Sequence, residues 1–192
     1  PVDILDRDAF EKELNELGSL RAKADAIRTR LAKSINTKYQ ENPAYYENFS
    51  KRIKEALELY KARTITEAEY LAKMRDILED YRTGKSAIAY PDRIRANVHA
   101  QAFYGVLTAI FSNEKLSVEP DFAAEMALDI TTIIEKHSQV DWTHNLTIHD
   151  RISQDIDDLF YRYQKEKGLV LSFDVIDMII ENVKTVALRR FA

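Results

Sequence analysis

The sequence predicts an all-α protein, an irregular bundle of about seven helices around a central apolar helix, with a long helix at its N-terminal end. Three observations carry this. Only four Gly and four Pro occur in 192 residues, too few for the turns of a β fold. Apolar residues recur at three- and four-residue spacing over most of the chain, the period of an amphipathic helix. Helix-opening residues (Asn42, Thr66, Ser172) stand just ahead of the stripes they introduce.

The first stripe covers residues 6–38. Phe10, Leu17, Ala24 and Leu31 are seven apart, with Leu20 and Ile27 in the complementary seam, so one coiled-coil-like helix is expected, with a possible bend at Gly18. This helix, residues 1–40, reads as the end of a preceding helical region. Residues 41–192 read as a second helical domain. Pro1 in place of Met suggests a piece of a longer protein.

Asn42 and Pro43 open a second helix with Tyr46, Phe49, Ile53, Ala56, Leu57 and Tyr60 on its core face. Thr66 and Glu69 have capping-box spacing for a third, whose stripe runs from Tyr70 through Met74 to Tyr81 and ends at Gly84. The short link around 63–65 makes the two an antiparallel hairpin. The fourth helix, after Pro91, is apolar nearly all round from Val98 to Phe111 and is therefore central. The fifth follows Pro120. The sixth carries Ile148, Ile152, Ile156, Leu159 and Tyr163 and ends at Gly168, and the seventh is capped by Ser172.

Composition limits function. A hydrophobic share of 45% with 31% charged residues fits an ordinary soluble domain, and the absence of Cys removes disulfides, thiolate metal sites and a Cys nucleophile. A cytoplasmic location is expected, with no membrane segment, since no apolar run approaches the roughly 20 residues needed to span a bilayer. The net charge of −4 argues against a chain devoted uniformly to nucleic acid.

Catalytic signatures are missing. Gly84-Lys85-Ser86 lacks the Gly four residues earlier and the preceding strand of a phosphate-binding loop, so it reads as a helix-ending turn. His149-Asp150 is the one pair that invites a metal reading. With His99 upstream and Asp174 or Asp177 downstream, it would make a small helical metal-dependent phosphohydrolase of the His-Asp type, in which divalent ions activate water. Its setting between Ile148 and Ile152 favours a surface or capping role. Asp155, Asp157 and Asp158 read as a solvated helix side. No catalytic or metal-ligating residue is assigned, and no cofactor is expected. Trp142 is read first as a plug between helices and second as a partner contact.

Charge is uneven. Between Arg21 and Lys38 six basic residues face one acid, whereas between Asp121 and Phe160 nine acids face two basic residues. Phosphate contact is thus expected away from the acidic stretch, and the candidates are Arg28, Arg30, Lys51, Arg52, Lys54, Arg93, Arg95, Arg189 and Arg190.

Asn42-Pro43 with Tyr45-Tyr46, Phe49-Ser50 and Ile53, then Glu69-Tyr70-Leu71, Ala102-Phe103-Tyr104, and Val140-Asp141-Trp142 with Asn145 and Ile152, form a scattered pattern. It resembles the C-terminal region of the R (HsdR, motor and restriction) subunit of type I restriction-modification enzymes. The resemblance implies a non-catalytic piece of a DNA-translocating nuclease subunit. Its partners would be the methyltransferase (M) and specificity (S) subunits, with DNA contact in addition. ATP and Mg would serve the parent subunit, since the family's Walker loop and nuclease carboxylates have no counterparts here. An unrelated helical adaptor is the remaining alternative.

Overall fold

Ser19 interrupts the first apolar stripe. Its side-chain oxygen accepts from the Ala22 N–H at 3.0 Å, satisfying a donor that the start of a helix leaves unpaired. The expected single helix over 6–38 is therefore two, α1 (Arg7–Asn15) and α2 (Leu20–Lys38). Leu20, assigned to the seam, opens α2 exposed, whereas Phe10, Leu14, Ala24, Ile27, Leu31 and Ile35 are buried. The structure, a computed structural model, describes residues 2–192. Among these it holds eight α-helices and no strand, the expected all-α class: α3 (Pro43–Lys61), α4 (Glu67–Thr83), α5 (Val98–Asn113), α6 (Pro120–His137), α7 (Leu146–Lys167) and α8 (Phe173–Arg190) complete the set.

The chain forms two compact units, each with its own hydrophobic core. The first comprises residues up to Tyr39 together with Tyr45–Ile88. In it α2 packs along α4, α1 lies on α2, and α3 adds Phe49, Ile53 and Ala56 to the shared core. The N-terminal helices thus belong to the same body as the hairpin. Two ion pairs of opposite sense clamp α1 to α4: Arg7 to Glu79 (2.6 Å) and Glu11 to Arg75 (3.0 and 3.1 Å). The capping box is complete, with Glu69 N–H donating to Thr66 Oγ1 and Thr66 N–H to the Glu69 carboxylate, both at 3.1 Å. Gly84 ends α4 at φ 74°, the left-handed conformation that costs other residues a Cβ clash.

The second unit comprises Gln40–Ala44 and Ala89–Ala192. Here α5 is central, as its all-round apolar sequence requires; it packs on α6 and α8, and α7 closes the other side of those two. The helix after Pro91 starts later than the proline: Asp92–Ile94 forms a 3₁₀ turn, and Asn97 caps α5 by accepting from Ala100 N–H at 2.9 Å. The short segment Gln40–Ala44 reaches α5 at Gly105, where a Cβ would stand 2.7 Å from the Ala44 methyl, so only glycine admits this approach. No helix of the described residues is long and apolar enough to cross a membrane.

Candidate functional site

The nine cations singled out for phosphate contact divide between the units, and most are already engaged. In the first unit Arg30 donates to the Val2 carbonyl and the Glu13 carboxylate and lies over the Phe10 ring. Arg52 bonds Asp80 at 2.8 Å and covers the Phe49 face. Arg28 shares Asp25 with Arg21 at 3.6 Å, and its Nε is buried without a hydrogen-bond partner. Only Lys51 and Lys54 project freely, each 4.0 Å from a glutamate one turn on. Pairs so loose and so exposed hold a lysine weakly and leave it available.

In the second unit Arg93 grips Asp121 with two bonds (3.0 and 2.8 Å), and Arg95 pairs with Asp92. Arg189 is exposed at the end of α8. Arg190 does the opposite of what a phosphate contact needs. Its Nε donates to His99 Nδ1 at 2.9 Å and its Nη1 to the Glu41 carbonyl at 2.8 Å, tying three separate segments of the unit. Accepting at Nδ1 puts the His99 proton on Nε2. Burial and the adjacent Arg190 charge both hold the His99 pKa below its usual value.

Trp142 lies 2% exposed in a 3₁₀ turn, and its indole N–H donates to the Phe191 carbonyl at 2.8 Å. The ring is packed inside the unit, as the plug reading expects. His149 stands edge-on to it, ring centroids 5.7 Å apart, with Nε2 buried and unpartnered. Asp150, Asp174 and Asp177 are exposed, and His99 is held by Arg190. Among the described residues no three His, Asp or Glu side chains are placed to share a metal ion. The phosphohydrolase arrangement of His149-Asp150 with those residues is not assembled.

Sequence reading missed the groove between α6 and α7, of about 450 Å³. Asp129, Thr132, Ile133 and Lys136 on α6 line it, with Asp155, Asp158, Leu159 and Arg162 on α7. The same order (acid, a polar–apolar pair one turn on, then a cation) occurs on both helices, a repeat visible in sequence but scattered among solvated residues. Across the groove Asp129 meets Arg162 at 3.7 Å and Asp155 meets Lys136 at 3.8 Å. Two further bonds anchor these acids from behind: His137 Nε2 lies 2.6 Å from Asp155, and the Tyr163 hydroxyl donates to Asp129. Burial, then the Asp129 carboxylate, push the Tyr163 pKa far up, so the phenol stays a donor.

The units also differ in charge. The first carries 17 basic and 15 acidic residues, the second 11 basic and 17 acidic.

Comparison with known proteins adds two positive findings. Residues 1–187 match the family model described as type I restriction enzyme HindI endonuclease subunit-like, C-terminal. The chain is similar to the type I restriction enzyme HindI endonuclease subunit of Haemophilus influenzae, 25% identical over 127 residues, which cover 66% of this chain and 12% of that protein. The chain thus spans a small fraction of that relative. No solved structure matches it.

Proposed function

The chain belongs to the family of type I restriction enzyme HindI endonuclease subunit-like C-terminal regions, and from that premise we propose that it is a non-catalytic assembly domain. It docks the ATP-driven, DNA-translocating restriction subunit onto the methyltransferase core, its partners being the M and S subunits of the same system. The observation that carries this reading is the match over 1–187 to a C-terminal region, with an aligned segment equal to 12% of the relative's length. ATP and Mg act elsewhere in the longer subunit, in the cytoplasm.

The surface supports the same division of labour. A helical body binds through exposed helix faces, and the faces here differ in sign. DNA contact belongs to the first unit, where Lys51 and Lys54 hold only loose pairs and duplex phosphates would release their counterions. The acid-rich second unit repels phosphates and suits a protein partner.

A pull-down of this chain against purified methyltransferase core, with and without duplex DNA, tests the proposal. Binding without DNA is expected, with Lys51→Glu and Lys54→Glu weakening only the DNA-dependent part. Full assembly and translocation by an R subunit lacking this region would overturn it.

A further inference from the structure

We propose that the groove between α6 and α7 receives a basic amphipathic helix of a protein partner, one that seats an apolar side chain between two cations a turn away on either side. The inference rests on the assembly reading and assigns it a face. Ile133 and Leu159 give the groove apolar surface, and its lining residues extend over two turns of each helix, about 10 Å, the footprint of a short helical segment.

Charge decides the kind of helix. Lys136 and Arg162 face groove carboxylates at 3.8 and 3.7 Å, exposed and loose pairs, so three carboxylates in the groove (Asp129, Asp155 and Asp158) stand against two cations. The remaining capacity is acidic. Asp158 is exposed and receives only the neutral Gln154 amide at 2.9 Å, and Glu125, one turn before Asp129 on α6, adds a second carboxylate near Tyr163. A visiting cation finds acceptors there, whereas a visiting anion has to compete with Asp155 and Asp129 for Lys136 and Arg162 and meets the unpaired charge of Asp158. Duplex DNA is disfavoured for the same reason, in a unit with 17 acids against 11 bases.

Fluorescence anisotropy of the whole chain tests this with a labelled peptide of about 18 residues, built of Leu, Ala and Lys to form an amphipathic helix, and a counterpart with Glu for each Lys. The Lys peptide should bind and the Glu peptide should not. Asp158→Lys should weaken binding about tenfold or more, and Asp157→Lys, with the same net charge change on the neighbouring solvent-facing position, less than about twofold. Ile133→Gln should weaken it with Asp158 intact. Absence of Lys-peptide binding, equal binding of the Glu peptide, or equal effects of the two Asp substitutions would each overturn the proposal. If the chain still captured the methyltransferase core, the assembly reading would survive and only the groove would be lost.

Discussion

Gly105→Ala is the sharpest probe of how the Gln40–Ala44 segment is held. The added methyl would lie 2.7 Å from the Ala44 Cβ, well inside van der Waals contact, and neither atom belongs to a flexible side chain that can swing away. Replacing a mid-helix glycine by alanine contributes roughly 1 kcal/mol of helix stability. Overpacking a tight contact costs about 1–3 kcal/mol. The net expectation is a loss of up to ~2 kcal/mol, a fall of up to about 1 M in the urea midpoint at a slope of about 2 kcal/mol per M. Trp142 is the only tryptophan and is buried in the second unit, so its fluorescence follows that unit alone. Adding Ala44→Gly removes the opposing methyl, and the double variant should recover most of the midpoint lost by Gly105→Ala. A Gly105→Ala protein as stable as the parent, with the two changes strictly additive, would refute the close approach.

Three further outcomes follow from particular contacts. Trp142→Phe leaves the Phe191 carbonyl without its donor and should cost about 1–3 kcal/mol by urea titration followed by circular dichroism. Thr66→Ala removes the α4 cap and should cost about 1 kcal/mol, seen first as faster hydrogen exchange at the Glu69 amide. Because the His99 pKa is lowered on folding, the unfolded chain binds more protons just below its ordinary value of 6.5. Its contribution is therefore complete above that value and is lost as pH falls toward the folded pKa. Denaturant titrations from pH 7.5 to about 5 should show this fall; Arg190 opposes His99 protonation and Glu135 favours it, so Glu135→Gln should steepen the loss, and an unchanged slope would count against the argument.

Much of the fold is legible in local sequence because its signals act over one or two turns. The Thr66–Glu69 capping box, Pro120 at the first turn of α6, Gly84 in the left-handed region and the Ser172 cap need only their neighbours. Ser19 is the exception: the seven-residue repeat runs across it, yet a serine after a glycine offers the backbone a new helix start. Among the residues that carry the family resemblance, Tyr46, Phe49, Tyr70 and Trp142 are packed in the cores. The site was much less legible. Arg190 and Arg52 look like their exposed neighbours in sequence, and only the carbonyls, rings and carboxylates brought beside them from distant segments turn them into internal fasteners.

Sequence alone determined the helical class, the caps, the apolar faces and the segregation of charge, because periodicity and capping are properties of a few adjacent residues. Tertiary structure decided that the helices gather around two cores, that Arg30, Arg52 and Arg190 are consumed internally, and that α6 and α7 enclose a groove. Those outcomes depend on which side chains meet across tens of residues. A cation's availability is set by the acceptors that packing leaves beside it, and no local pattern records them.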